Sequence, residues 1–252
     1  VPYLVCDAME QAGLVHGFFL RHGGVSQGEL ASLNLGNRVG DAPENVCQNH
    51  ARMMAALVGG GEPPVVHKTS QVHGTVVLEA CEGTVRGAVP VRQADGLWTG
   101  AGGAGQALEI HVADCAAVLV VDPVGRRFAN LHAGWRGAVG GIVARGIECL
   151  CGQGSRTSDL LVAVGPCIGG CCYEVSRDVA QQFDPRAVSE REGMVFADIA
   201  KQNALVAVEC GVRECNIYLA NMCTSCNVNA CFSHRAQQGR AGRMAAVGWF
   251  VE

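Results

Sequence analysis

Three residues of the chain stand where apolar runs give way to loops: His73 in Gln71-Val72-His73-Gly74, Cys115 in Ala113-Asp114-Cys115, and His132 in His132-Ala133-Gly134-Trp135-Arg136-Gly137. Loop ends on a rigid scaffold are where reactive groups concentrate. One thiolate and two imidazoles match the donor set of a zinc ion, with bonds of about 2.0 to 2.3 Å, and three protein ligands leave a fourth position for water or substrate. Such an ion lowers the pKa of bound water to about 7. No compact spacing links the three residues. A lone Cys beside apolar strands is commonly a small core residue and a lone His a hydrogen-bonded one, so spacing alone leaves both readings open.

Rival arrangements come from the same residue types. His111 lies near Cys115 in sequence, but an extended chain puts their Cα atoms roughly 13 Å apart at about 3.3 Å per residue, too far for one ion. Cys223-Thr224-Ser225-Cys226, followed by Cys231 and His234, offers a second metal site or a redox pair, although the spacing is not a standard one. Cys115 with His132 could also act as nucleophile and base of a metal-free cysteine hydrolase. A binding or regulatory protein that uses zinc only for structure is a third class. Multicopper oxidation is disfavoured, because it needs many closely spaced histidine pairs and the 8 histidines form no His-x-His.

The elements that must position these residues read as strands interleaved with helices. Runs at Leu14 to Phe19, Val65 to Lys68, Thr75 to Leu78, Ala107 to Val112, Ala116 to Val121, Phe128 to Leu131, Leu160 to Val164 and Asn216 to Leu219 predict strands. Helical periodicity follows Asp41-Ala42-Pro43 over Glu44 to Val58, where Val46, Met53, Met54 and Leu57 form the apolar stripe. Further helices are expected over Gly137 to Leu150, around Arg177 to Phe183 and over Asp198 to Cys210. The pattern predicts an α/β (α+β) fold with mixed β-sheets flanked by helices, as a single domain over residues 1–252. Gly59 to Pro64 and Gly100 to Gly105 read as flexible loops. No strand–helix junction carries a Gly-x-Gly-x-x-Gly, which disfavours a dinucleotide fold.

Composition narrows the class. A chain of 252 residues can bury most of its apolar surface in one core. A net charge of -4 and the lack of any Lys/Arg run argue against nucleic-acid binding. The apolar stretches are too short to span a bilayer, so no membrane association is expected. The Val1-Pro2-Tyr3-Leu4 start lacks the marks of a secretory leader. The 14 cysteines are scattered, with adjacent pairs such as Cys171-Cys172, which suits a reducing cytoplasm better than a disulfide framework.

Arg21-His22-Gly23-Gly24-Val25-Ser26, Ser32-Leu33-Asn34-Leu35-Gly36, Gln71-Val72-His73-Gly74, Ala113-Asp114-Cys115, His132-Ala133-Gly134-Trp135-Arg136-Gly137 and Gly165-Pro166-Cys167-Ile168-Gly169 occur in that order. With them the chain resembles the YfiH-type family, long labelled the multicopper polyphenol oxidase or laccase domain, whose members are described as zinc-dependent purine nucleoside phosphorylases. The resemblance runs from about Gly17 to Trp249. It implies that His73, Cys115 and His132 are zinc ligands. It also implies phosphorolysis of adenosine, inosine, guanosine and methylthioadenosine to free base and ribose 1-phosphate, with adenosine deamination as a companion activity. Members are also linked to peptidoglycan editing. Val112 stands where the family often has Thr, His234 where Tyr is frequent, and Ala236-Gln237 where Arg-Asp is usual. These departures bear on substrate preference and leave the zinc ligands intact.

Phosphorolysis needs an anion held against C1′ of the sugar, and arginine forks grip phosphate oxygens in pairs. Arg136, next to the ligand His132 in sequence, is the first choice. Arg21, Arg52 and Arg243, together with Asn34 and Gln71, are the other expected substrate-binding residues. Asp114, adjacent to Cys115, is the expected catalytic carboxylate, passing a proton in deamination or orienting a ligand.

Overall fold

The strand Ala116–Asp122 is apolar from Ala116 to Val121, and all of its positions are buried because both of its faces are covered. It pairs antiparallel with Arg127–Ala133 on one side and Leu161–Val164 on the other. These three strands are central in a six-stranded sheet ordered Ile217–Leu219, Leu161–Val164, Ala116–Asp122, Arg127–Ala133, Gly96–Trp98, Val77–Glu79. This is a computed structural model, and it describes residues 1–81, 84, 92–100 and 103–251. Positions 101 and 102 of the expected Gly100 to Gly105 loop lie outside the described residues.

The second large sheet has the order Tyr3–Leu4, Leu14–Phe19, Met244–Phe250, Gln106–Val112, Val65–His67. Alternation along the strands joins the two sheets into a sandwich. Ala117, Leu119 and Val121 share a core with Phe18, Leu108, Ile110 and Ala246 from the facing sheet. On the outer side of the first sheet, Val118, Val120, Leu131 and Val162 pack with Ile142, Ile147 and Leu150 of helix Ile142–Cys151 and Ile199 and Ala207 of helix Ile199–Glu209. On the outer side of the second, Ala245, Val247 and Trp249 pack with Met53 of helix Pro43–Val58. The result is a layered helix–sheet–sheet–helix arrangement, the mixed-sheet α/β (α+β) class that the sequence predicts.

Three differences from the sequence reading have physical causes. Met244–Phe250 is the middle strand of its sheet, buried at every position, yet its Ala and Gly content dilutes the β-branched signal by which strands are recognised. The hairpin Val188–Arg191/Met194–Ala197 exposes polar Ser189, Glu190 and Arg191 on its first strand and is set by Glu192 and Gly193, both with positive φ, as a two-residue turn requires. The helix expected over Gly137 to Leu150 is two helices, Trp135–Val139 and Ile142–Cys151, because Gly140-Gly141 interrupts it and Gly141 adopts φ 82°. Helix Ile142–Cys151 lies close on the sheet because Gly146 has no side chain: a Cβ there would stand 2.7 Å from Leu131 Cδ1.

Candidate active site

The register of the central hairpin brings the first two residues together. Ala116 pairs with Ala133 and Ala117 with His132, so Cys115, just before one strand, emerges beside the end of its antiparallel neighbour. His73 arrives on the loop that precedes Val77–Glu79. The ligand-type atoms of His73, Cys115 and His132 lie within 4.8 Å of one another, and the two imidazoles stand edge-on with centroids 4.8 Å apart. His73 has φ 62° and Asp114 φ 82°, both left-handed and unfavourable for residues with a side chain. Backbone strain of this kind is retained where the surrounding structure over-determines it, commonly at functional sites.

Asp95 holds the arrangement in place. It is fully buried, and its carboxylate accepts N–H bonds from Val72, His73 (2.8 Å) and Gly74 (2.7 Å) as well as one from His132 Nδ1 (2.8 Å). Its own carbonyl accepts from His132 N–H at 2.6 Å. One carboxylate thus fixes both the His73 loop and the ring of His132, engaging Nδ1 so that Nε2 is the nitrogen available to a metal once its proton is lost. Burial opposes charge on Asp95, but the bonds from His132 and the backbone outweigh it and hold the carboxyl below its usual range.

Burial also opposes ionisation of Cys115, yet hydrogen bonding to His132 and His73 pulls its thiol down to about 6. The partner ring of His132 is pushed up to about 9 by Asp95 and Cys115, against its burial. A cysteine of this kind is thiolate at neutral pH, as a metal ligand or a nucleophile must be. Gly134 completes the cradle: a Cβ there would stand 3.0 Å from Cys115 Sγ and 3.1 Å from His73 Cδ2. Two imidazoles and a thiolate converging behind a buried carboxylate fit one divalent metal ion of the borderline-soft class.

The three residues line a cavity of about 560 Å³, inside the usual range of about 300–1,000 Å³ for small-molecule sites. Of the other residues expected from sequence, Gln71, Asp114, Arg136 and Arg243 line it. Gln71 clasps the backbone of His111 in both directions, at 2.7 and 2.9 Å. The Arg136 guanidinium is exposed and stacks 4.4 Å from the Trp135 ring centroid. Arg243 donates to the carbonyls of Ala241 and Gly242, and burial lowers its pKa.

Three expected residues stand outside the lining. Arg21 spends its guanidinium on the carbonyls of Ala31 and Val228 and lies over Phe232. Asn34 is fully buried and organises Gly36, Asp41 and the Arg243 N–H. Arg52 projects from helix Pro43–Val58 to the carbonyls of Gly23 and Gly24. Asp114 does not orient a ligand ring. Its oxygens accept from Thr224 Oγ1 (2.5 Å) and Arg235 N–H (2.6 Å), and the carboxylate that contacts a candidate ligand, His132, is Asp95.

Cavity residues that the sequence reading missed are Arg38, Lys68, Tyr173 and Arg235. Burial raises the Tyr173 phenol, which therefore stays a neutral hydrogen-bond donor at pH 7. His111 is absent from the three-ligand group and lies instead with Glu109, 2.6 Å away, and His50. Among the described residues no helix is long and apolar enough to cross a membrane.

Comparison with known proteins adds a functional context. The family described as multi-copper polyphenol oxidoreductase laccase matches residues 15–251. The chain is 36% identical to purine nucleoside phosphorylase YlmD of Geobacillus stearothermophilus, over 97% of this chain and 93% of that protein. It is 37% identical to a purine nucleoside phosphorylase of Deinococcus radiodurans, over 92% of this chain and 87% of that protein. The crystal structure of YlmD superposes with a TM-score of 0.90 at 33% identity, covering 100% of this chain and 97% of that one.

Proposed function

The chain belongs to the multi-copper polyphenol oxidoreductase laccase family, of YfiH type, and we propose that it is a zinc-dependent purine nucleoside phosphorylase. The observation that carries this reading is the convergence of His73, Cys115 and His132, braced by Asp95, at a cavity also lined by Arg38, Lys68 and Arg136. Relatives that bear the phosphorylase name support it. The substrates we assign are adenosine, inosine, guanosine and methylthioadenosine with phosphate, handled by a single catalytic domain in the cytoplasm. Oxidase chemistry of the kind in the family's description needs paired histidines for several coppers, and the donor groups found among the described residues are not of that composition.

In phosphorolysis a phosphate oxygen forms a bond to C1′ while the bond from C1′ to the purine nitrogen breaks, and the base departs with the electron pair. His73, Cys115 and His132 would hold the zinc, which supplies a Lewis acid and lowers the pKa of bound water to about 7. Arg136 presents a planar fork to the phosphate, pre-oriented by its stacking on Trp135. Arg38 and Lys68 add positive charge to the lining of the same cavity. The neutral phenol of Tyr173 donates to the electron-rich departing base.

We assign adenosine deamination to the same cavity. Water adds at C6 and ammonia leaves, a sequence that needs a carboxylate to pass a proton. An ionised carboxylate has about four lone-pair sites, so Asp114 keeps acceptor capacity beyond its bonds to Thr224 and Arg235.

One observation favours a second reading. Asp95, His132 and Cys115 stand in the order of an orienting acid, a base and a low-pKa thiol, as in a metal-free cysteine hydrolase, including one acting in peptidoglycan editing. A single experiment separates the two. Chromatography of inosine and adenosine incubated with phosphate should give free base and ribose 1-phosphate with the intact protein. Product should disappear with Cys115→Ala, and also with a chelator, returning on addition of zinc. Turnover insensitive to chelation but abolished by thiol alkylation would replace the metal reading with the nucleophile.

A further inference from the structure

A second group of donors lies outside the cavity just described. Cys171, Cys172, Cys223 and Cys226 place their sulfurs within 4.8 Å of one another. Cys226 Sγ is 3.3 Å from Cys172 Sγ and 3.6 Å from Cys171 Sγ. The pairing that sequence spacing suggests is different, because Cys231 is fully buried and His234 lines the cavity. The missing partners of Cys223 and Cys226 come from more than fifty residues upstream.

Topology explains the meeting. Ile217–Leu219 runs parallel to Leu161–Val164, with Leu219 opposite Val164. Parallel neighbours end at the same edge of a sheet, so the loops that follow them emerge side by side. A backbone β-bridge between Cys167 and Cys223, both free thiols, then fastens the loops, with Thr224 N–H donating to Cys167 O at 3.0 Å.

Local geometry is that of a thiolate-binding turn. Gly169 N–H donates to Cys223 Sγ at 3.3 Å, and Asn227 N–H closes the Cys223–Cys226 turn on the Cys223 carbonyl at 3.1 Å. Gly169 has no side chain where a Cβ would stand 3.4 Å from both Cys171 Sγ and Cys223 Cβ. Arg191 donates to the carbonyls of Gly170 and Cys171, bringing a positive charge to a group that becomes strongly negative when its thiols ionise.

We propose that Cys171, Cys172, Cys223 and Cys226 bind one zinc ion as a closed four-thiolate site that clamps the two loops together. Sulfurs bonded at about 2.3 Å to one tetrahedral ion are about 3.8 Å apart; the Cys226 contacts at 3.3 and 3.6 Å fall just short of that value, and no pair of the four exceeds 4.8 Å. An iron–sulfur cluster holds its cysteines wider apart than a single ion does. Each thiol gives up its proton to solvent as its sulfur binds the ion, with no change of oxidation state.

The clamp acts on the wall of the cavity. The first loop carries Ile168 and Tyr173, and the second carries Thr224, whose hydroxyl holds Asp114. The site is structural, since four protein ligands leave no position for substrate.

The test uses the full chain purified under reducing conditions and does not depend on turnover of any nucleoside. Elemental analysis should find one zinc equivalent fewer in Cys171→Ser/Cys226→Ser than in the parent, whatever the content at His73, Cys115 and His132. Cys171 and Cys226 are exposed, so this pair disturbs the core least. The parent chain supplies a reading that needs no variant. Added zinc should slow iodoacetamide alkylation of Cys171, Cys172, Cys223 and Cys226 at least tenfold, while exposed Cys47 and Cys215 react at an unchanged rate. Equal zinc content in parent and double variant, or alkylation at the four positions indifferent to zinc, overturns the proposal. So does a disulfide between Cys172 and Cys226 that survives reducing purification.

Discussion

Asp95 accepts a 2.8 Å hydrogen bond from Nδ1 of His132, and with the same oxygen a 2.8 Å bond from the backbone N–H of His73. Two ligand candidates that are far apart in sequence are therefore set by one buried carboxylate. Asp95→Asn keeps the size of the side chain but leaves one acceptor oxygen where two now serve four donors. Loss of such outer contacts typically lowers metal affinity by about 10- to 100-fold. Competition with a chromophoric chelator should show a fall of that size, with nucleoside turnover partly restored at saturating zinc. Unchanged affinity would mean that Asp95 serves the fold alone.

Gly134 tests the same site from the opposite side. Its φ of -68° and ψ of 172° suit any residue, so Gly134→Ala adds no backbone strain. The new methyl would meet Cys115 Sγ at 3.0 Å and His73 Cδ2 at 3.1 Å, tighter than ordinary contact, and must push the donors apart. Metal content after dialysis against dilute zinc should drop severalfold, whereas the melting temperature of the metal-free protein should move by only a few degrees. A variant that keeps full metal content would show that the three donors are not drawn together around an ion.

How far the sequence reveals this site depends on which interactions are local. His73, Cys115 and His132 are legible because each stands at or near a junction between an apolar run and a loop, and loop ends carry chemistry. Asp95 is not, because its role exists only once Gly96 pairs with Leu131 and carries the preceding carboxylate under His132. Cys171 and Cys172 join Cys223 and Cys226 through the parallel pairing of two strands, a register that no local pattern encodes. Arg21 and Arg52 illustrate the converse: a guanidinium is identifiable by type, but backbone carbonyls outside the cavity engage both. The layered class was readable from strand and helix periods, whereas the middle strand Met244–Phe250 was obscured by its alanines and glycine.

That contrast among arginines gives a kinetic prediction. Hydrogen bonds to a charged group contribute about 1.5–3 kcal/mol, roughly 10- to 150-fold in an equilibrium. Arg136→Ala should raise the KM for phosphate by a factor in that range and change the KM for inosine by less than about threefold. Arg52→Ala should leave both constants near the parent values, because Arg52 stands outside the cavity lining. Equal effects of the two substitutions, or none from Arg136→Ala, would remove Arg136 from the phosphate site.

His16 makes the fold sensitive to mild acid. Its ring is buried, with Nδ1–H donating to Leu14 O at 3.0 Å and Nε2 accepting from Cys6 N–H at 2.8 Å, so the neutral form is the one the fold binds. Burial lowers its pKa from 6.5, against the smaller opposing effects of Leu14 and Glu10. His67 is shifted in the same direction, again chiefly by burial. A base with a depressed folded pKa leaves the unfolded chain binding more protons, so stability falls as pH falls. The contribution is intact above about pH 7.5, begins to be lost through 6.5, and declines by at most about 1.4 kcal/mol per pH unit for one group until the folded pKa is reached. Melting temperatures recorded from pH 8 to 5 should drop in the lower half of that range, and less steeply in His16→Gln, whose side chain cannot take up a proton. Parallel profiles for parent and variant would show that His16 is not a source of the acid sensitivity.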